Sequence, residues 1–271
     1  MPELPEVETT RRGIAQTVTG RRIAAVIVRE PRLRWPLPSD FAAQLNGQRI
    51  REVRRRAKYL LIDLDRGSLI VHLGMSGSLR VLPSSTPILK HDHVDLELES
   101  NQSLRFNDPR RFGSMHYTLE DPAQHMLLRK LAPEPLSDEF DADYLVGKAR
   151  GRKVSIKQFI MNGNLVVGVG NIYASEALFR AGIKPTRAAG RIKPDELKRL
   201  VKGIKTVLNA ALRAGGTTLR DYVNADGAPG YFRQKLFVYE RDGQPCRNCK
   251  SPIKQLRSGQ RSTYYCPSCQ K

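Results

Sequence analysis

The spacing of apolar positions changes character along this chain and divides it into two halves. Val7, Ile14 and Val18 fall on one side of a helical wheel and predict an opening amphipathic helix. The run Ile23-Ala24-Ala25-Val26-Ile27-Val28 is β-branched and predicts a strand. Residues 49 to 118 then read as strands separated by turns. Tyr59 to Leu64, the turn Asp65-Arg66-Gly67, and Ser68 to Leu73 predict a hairpin. Val94 to Leu98 alternates apolar with acidic residues, as a half-buried strand does, and Ser100-Asn101-Gln102 turns the chain into Leu104 to Phe106. The pattern of this half predicts a β-sandwich or barrel with helices at its ends.

Past residue 120 the period lengthens. Helices are expected at about 120–131, 141–150, 155–162 and 171–181, with Pro133-Glu134-Pro135 marking a linker. Pro194, Asp195 and Glu196 make a good helix start for a long amphipathic segment reaching Leu212. The last thirty residues are rich in Gly, Pro and Cys and too short for a core of their own. No internal repeat or low-complexity tract is present.

Charge narrows the partners. The chain has 271 residues, enough for two ordinary domains, and 46 Lys and Arg against 27 Asp and Glu give it a net charge of +19. Such an excess points to a polyanion, most simply nucleic acid. No apolar run is long enough to span a bilayer, and the acidic N-terminus lacks a signal-peptide core, so a soluble intracellular protein is expected.

All four cysteines lie between 246 and 269, as Cys246-x-x-Cys249 and Cys266-x-x-Cys269. Two such knuckles at this separation supply four thiolates for a tetrahedral structural zinc ion. Between them Ile253 to Leu256, Ser258-Gly259 and Ser262 to Tyr265 predict a hairpin. Residues 241–271 hold seven Lys or Arg and one Asp, so that hairpin is cationic. A redox pair is the competing reading, but two linked pairs outside any βαβ unit disfavour it. Full thiolate coordination leaves no open position for catalysis.

The segment Gly168-Val169-Gly170-Asn171 precedes a helix. As a dinucleotide fingerprint it fails, because Tyr173 occupies the third glycine position and no strand precedes it. A glycine turn feeding a helix N-terminus still offers backbone N–H groups to a phosphate, with Asn171 placed to add a contact. The alternative is a plain packing corner.

The first residues, Met1-Pro2-Glu3-Leu4-Pro5-Glu6-Val7-Glu8, carry the candidate chemistry. Loss of the initiator Met would leave Pro2 as a secondary amine, titrating at about 7.7–8.0 as α-amino groups do. Such an amine attacking a sugar carbon gives a cationic iminium, an electron sink for covalent catalysis. Glu3 beside it is a candidate general acid or base. The same residues also describe an ordinary helix start, with Pro in the first turn and acids at the positive dipole end.

These motifs share one family. The opening Pro2-to-Glu8 run, Arg56-Ala57-Lys58-Tyr59, His72-Leu73-Gly74-Met75-Ser76-Gly77, Asp108-Pro109-Arg110-Arg111-Phe112-Gly113, the Gly168-to-Glu176 run and the four-Cys tail with Arg261 resemble the bacterial formamidopyrimidine-DNA glycosylases. The resemblance runs from Pro2 to Lys271 in one order. It implies an α+β protein with an N-terminal β-sandwich flanked by helices, and a C-terminal helical domain bearing a helix–two-turns–helix element and a zinc-finger β-hairpin. The implied boundaries are 1–131 for the sandwich, 132–150 for a linker and helix, 151–237 for the helical domain and 238–271 for the finger. DNA would lie in the cleft between domains.

The resemblance also implies roles. Pro2 would attack C1′ of the damaged nucleotide, Glu3 would give the proton that helps open the sugar, Lys58 would assist β-elimination and Arg261 δ-elimination. Read alone, Lys58 is one cation of a solvated basic strand and Arg261 one more phosphate contact. His91, Arg110 and Arg152 fall at DNA-contact positions and Asn171 in the phosphate-gripping turn, although His91-Asp92-His93 also reads as a metal pair or a surface loop. Met75, Arg110 and Phe112 align with side chains that fill the gap left by an extruded base. Unstacking a base costs a few kcal/mol, which an apolar wedge partly offsets. Met75 and Phe112 would otherwise be core residues, but their Gly- and Pro-rich flanks favour loop tips. Residues 215–232 would form a loop over the lesion, poorly ordered without DNA.

The implied function is base-excision repair. A cytoplasmic, nucleoid-associated monomer would excise oxidised purines from double-stranded DNA, then remove the sugar by β,δ-elimination, leaving a one-nucleotide gap with phosphate at both ends. An endonuclease VIII-like enzyme for oxidised pyrimidines is the nearest rival, and Leu4 with the Pro5-to-Glu8 run favours the formamidopyrimidine branch. A non-catalytic zinc-finger DNA-binding protein would explain the charge and the cysteines but not Pro2 beside Glu3.

Overall fold

The computed structural model describes residues 2–216 and 235–271. It divides into two compact units, the first comprising residues 1–129 with 214–233 and the second residues 130–213 with 234–271.

The first unit opens with helix α1 (Leu4–Val18), which buries Leu4, Val7, Ile14 and Val18 along one face. Each such side chain contributes about 1.5–3 kcal/mol of burial. Strand β1 (Ile23–Val28) and the short helix α2 (Phe41–Leu45) follow. Two four-stranded antiparallel sheets come next. One has the order β1, β6 (Asp92–Leu98), β7 (Gln102–Asn107), β5 (Ser78–Pro83). The other has the order β2 (Ile50–Arg56), β3 (Tyr59–Leu64), β4 (Ser68–His72), β8 (Ser114–Thr118). The alternation of β3 sends Leu60, Ile62 and Leu64 inward. They join Leu69 and Val71 of β4, Leu96 of β6, Leu104 and Phe106 of β7, and Val7 and Ile14 of α1 in one core. The sandwich expected from the two-residue period is therefore present, with α1 packed on β2 and β5.

The second unit contains α3 (Ala142–Ala149), α4 (Ile156–Ile160), α5 (Asn171–Ala181), α6 (Pro194–Arg213) and the hairpin β9 (Lys254–Ser258) with β10 (Arg261–Tyr265). Two turns join α4 to α5, and Gly168 enters them at φ +78. Such a conformation strains any residue with a Cβ. Helix α5 ends at Gly182 in the left-handed region. Gly203 of α6 is small where a Cβ would stand 3.0 Å from the Ala177 carbonyl oxygen, so α5 and α6 pack closely.

One expected helix is absent. Over 120–131 the chain makes only a 3-10 turn at Pro122–Gln124. Asp121 Oδ1 accepts the Ala123 N–H at 2.9 Å and His125 Nδ1 accepts that of Leu127 at 3.3 Å. These local bonds take donors that a helical ladder would need.

Candidate nucleic-acid interface and catalytic residues

Pro2 is buried immediately ahead of Glu3, the N-cap of α1, which is itself only 2% exposed. The Glu3 N–H donates to Glu6 Oε2 at 2.9 Å, and the two residues form a capping box. Glu6 is equally buried, and a Cβ on Gly216 would meet its Oε1 at 3.1 Å. The N-terminus is thus an ordinary helix start, and it places Pro2 at the positive end of α1.

Lys58 sits with Ala57 in the two-residue turn joining β2 to β3, since Arg56 pairs with Tyr59. Ala57 adopts φ +55 there. Lys58 therefore projects from a hairpin tip rather than along a strand face. Arg55 fixes that turn, donating to Ala57 O at 2.8 Å and to Glu8 Oε2 of α1 at 3.2 Å. Burial pushes the Glu8 carboxyl up, but hydrogen bonds from Arg11 and Arg12 outweigh it and hold the group below its ordinary value. One guanidinium thus couples the Pro2 helix to the Lys58 turn.

His72, at the end of β4, packs against Tyr59 with ring centroids 4.8 Å apart and the planes tilted by 48°. Burial lowers its pKa to about 4, helped by the positive charges of Lys58 and Arg34 and opposed by Asp108. Its Nδ1 accepts the Gly74 N–H at 3.0 Å, so the neutral ring carries its proton on Nε2.

Met75 lies half-buried on the turn after β4, and Phe112 is 42% exposed on the loop before β8. Both occupy loops, as their flanks predicted. Arg110 is exposed and stacks over the Phe112 ring, 4.7 Å from its centroid. His91 occupies a corner at φ +74. His93 Nε2 is engaged with the Asp108 carbonyl oxygen at 2.8 Å. Among the described residues the four cysteines are the sole group of three or more side chains arranged to hold a metal ion.

In the second unit Asn171 is the first residue of α5. It is held by Lys157, a 2%-exposed cation on α4. Lys157 Nζ donates to Asn171 Oδ1 at 2.6 Å, to Thr263 Oγ1 at 2.8 Å and to the Ser262 carbonyl oxygen at 3.0 Å. Asn171 Nδ2 reaches the same Ser262 oxygen at 3.0 Å. Arg261 begins β10 after the Gly259-Gln260 turn, whose φ values of +54 and +62 mark a type I′ hairpin. Lys157, Gln158, Met161, Ser258, Gly259 and Arg261 line a small surface cavity. Arg152 is exposed on the turn between α3 and α4.

The four cysteine sulfurs lie within 4.8 Å of one another, with Cys249 to Cys266 at 3.4 Å and Cys246 to Cys269 at 3.9 Å. A zinc tetrahedron with Zn–S bonds near 2.3 Å has edges of about 3.8 Å, so the cluster fits the ion. Cys246 and Cys266 pack with Phe179 of α5, Val238 and Ile253. Glu176 of α5 completes the anchor. Its carboxylate accepts the N–H groups of Phe237 at 2.8 Å and of Val238 and Tyr239 at 2.9 Å. Burial raises its pKa, opposed by these three donors and Arg180.

Comparison with known proteins decides the family. Residues 1–115 match the formamidopyrimidine-DNA glycosylase N-terminal domain, 131–223 the H2TH domain of the same enzymes, and 243–271 a zinc finger found in FPG and IleRS. The formamidopyrimidine-DNA glycosylase of Thioalkalivibrio sulfidiphilus is 61% identical over 272 residues, covering 100% of both chains. A Lactococcus lactis FPG variant, solved in complex with Fapy-dG-containing DNA, superimposes with a TM-score of 0.94 at 32% identity over 100% of both chains. The MutM (FPG) protein of Thermus thermophilus gives a TM-score of 0.90 at 39% identity, over 99% of this chain and 98% of that one.

The chain belongs to the formamidopyrimidine-DNA glycosylase family.

It is accordingly a base-excision repair glycosylase with AP lyase activity, and the finger carries one structural zinc ion. This excludes the non-catalytic zinc-finger reading. Among the described residues no helix is long and apolar enough to cross a membrane. The loop expected over 215–232 falls outside the described residues except for Gly215 and Gly216. Sequence reasoning missed the parts played by His72 and Asp108 in the first unit and by Lys157 and Glu176 in the second. The signal for Lys157 was a cation between Ile156 and the apolar pair Phe159-Ile160.

Proposed function

We propose that Pro2, freed of Met1, is the nucleophile that removes oxidised purines, 8-oxoguanine and formamidopyrimidines, from double-stranded DNA. Its nitrogen forms a bond to C1′ as the C1′–base bond breaks and the base leaves with a proton. Glu3 gives a proton to the sugar ring oxygen, the ring opens, and the nitrogen becomes an iminium. Loss of a C2′ proton then expels the 3′ phosphate, with Lys58 assisting. A second elimination expels the 5′ phosphate, with Arg261 assisting. The observation that carries this reading is Pro2 held one residue ahead of the α1 N-cap. There the positive dipole end disfavours a protonated amine and favours the nucleophilic free base.

In the same reading His91, Arg110, Arg152 and Asn171 grip the DNA, and Met75, Arg110 and Phe112 fill the space of the extruded base. The exposed loop positions of Phe112 and Arg110 and the helix-terminal position of Asn171 support this assignment. The four-part division at 1–131, 132–150, 151–237 and 238–271 goes with it, as does action as a monomer on the cytoplasmic nucleoid. Borohydride trapping of Met-cleaved protein on 8-oxoguanine DNA tests the assignment. A covalent adduct through Pro2 is expected, and absence of an adduct where binding is demonstrated would refute it.

A further inference from the structure

We propose that Asp108 is a positioning residue for base extrusion: its buried carboxylate and backbone lock the Met75 turn, the Arg110–Phe112 loop and the His91 corner into one rigid body. The proposal rests on the reading of Met75, Arg110 and Phe112 as gap-filling side chains. Asp108 follows the last residue of β7 and is fully buried, with 0% exposure. Its Oδ1 accepts the Ser76 hydroxyl at 2.8 Å, next to Met75, and the Arg110 N–H at 3.3 Å. Its Oδ2 accepts the Gly113 N–H at 2.7 Å, next to Phe112. The Asp108 N–H donates to the His91 carbonyl oxygen at 3.1 Å. Its own carbonyl oxygen takes the Arg111 N–H at 3.2 Å and lies 2.8 Å from His93 Nε2. A carbonyl only accepts, so that His93 nitrogen carries a proton.

The loops meet with no side chain between them. A Cβ on Gly74 would stand 2.4 Å from the Gly113 nitrogen, and one on Gly113 would stand 2.7 Å from the His72 carbonyl oxygen. Glycine at both positions lets the backbones touch, and Asp108 ties them from below. A wedge must hold its shape against the restacking of the base it replaces. Three loops tied to one residue, two through its carboxylate and the His91 corner through its backbone N–H, meet that demand, because none shifts without breaking a buried hydrogen bond. The role belongs to extrusion and not to the later eliminations, in which Asp108 has no part.

The test compares two reactions of the full-length, Met-cleaved protein: single-turnover excision of 8-oxoguanine opposite cytosine, and cleavage at a preformed abasic site, where no base needs unstacking. Asp108→Ala is expected to slow excision about tenfold or more, and abasic cleavage less than about threefold. Asp108→Asn should recover a large part of the rate lost in Asp108→Ala. Its amide oxygen accepts the Gly113 N–H while its NH2 group donates to the Ser76 oxygen, at the loss of only the 3.3 Å bond from the Arg110 N–H, the longest of the three. Adding Phe112→Ala to Asp108→Ala should cost little more than Asp108→Ala alone, since both act through one wedge. Equal losses in the two reactions, failure of Asp108→Asn to recover, or losses that multiply in the double variant would overturn the proposal. If Asp108→Ala does not fold, Ser76→Ala removes a single tie. It should still slow excision selectively, by about threefold, and an equal effect on both reactions would overturn the proposal. The single Phe112→Ala variant separates the two levels. If it leaves the ratio of excision to abasic cleavage unchanged, the gap-filling reading fails and the proposal with it. If it lowers that ratio while Asp108→Ala does not, the positioning role alone is wrong.

Discussion

Lys157 Nζ and Asn171 Oδ1 lie 2.6 Å apart, and the same ammonium reaches Ser262 and Thr263 of the zinc-finger hairpin. A buried cation therefore fixes Asn171, at the start of α5, to the finger hairpin. Three acceptors satisfy its three protons, which is what allows an ammonium to stay charged in the interior.

Lys157→Ala takes the charged donor from Asn171 Oδ1 and Thr263 Oγ1 and leaves the Ser262 oxygen to Asn171 Nδ2 alone. It should cost about 1–3 kcal/mol of stability, the magnitude for buried neutral acceptors that lose their donor. It should also weaken binding to undamaged duplex, because Asn171 loses its orientation. Urea denaturation and fluorescence anisotropy check the two effects. Unchanged DNA affinity in a folded variant would leave Lys157 a purely structural residue.

The second prediction concerns pH. The His72 pKa is lowered to about 4 from 6.5, so the folded state favours the neutral ring. Below 6.5 the unfolded chain binds a proton that the folded chain resists, so the stability is complete above 6.5 and is lost as pH falls towards about 4. Protonation of Nδ1 would also break the Gly74 hydrogen bond and release the Met75 turn. Thermal unfolding from pH 7 to 4 should therefore show a drop in Tm that is smaller in His72→Asn. Equal slopes for the two proteins would contradict this.

Metal removal is the third. The finger buries only a few apolar side chains, among them Phe179, Val238 and Ile253. Its fold therefore depends on the ion. A strong chelator should lower Tm and DNA affinity together, and zinc should restore both. Chelation that leaves DNA affinity intact would count against the finger as part of the interface.

Glu176 gives a fourth prediction. Glu176→Gln replaces one carboxylate oxygen with a donor facing backbone N–H groups, and should destabilise by about 1–3 kcal/mol. Denaturant melts measure it, and a loss below about half a kcal/mol would mean the backbone rearranges to satisfy the amide.

The fold was legible wherever a period was sustained. The β3–β4 hairpin followed from Tyr59 to Leu73, and α6 from its Pro194 start and apolar stripe. The residues that tie loops together within each unit were not legible, because their meaning depends on tertiary partners. Asp108 reads as a turn residue before Pro109, and only the folded chain brings Ser76, His91 and Gly113 to it. Lys157 reads as a helix-surface lysine until Thr263 comes to meet it, 106 residues along the chain. The failed helix at 120–131 has a similar origin. Its composition suits a helix, but Asp121 and His125 spend the local N–H donors on their own side chains.

The most direct measurement is borohydride trapping on 8-oxoguanine duplex, with mass spectrometry locating the adduct, for three proteins: Met-cleaved, Met1-retaining and Pro2→Gly. An adduct at the Pro2 nitrogen of the cleaved protein is expected. None is expected there with Met1 retained, and most excision should be lost in Pro2→Gly, while all three still bind the duplex. An adduct of undiminished yield on another residue, or full excision with Met1 in place, would contradict Pro2 as the nucleophile.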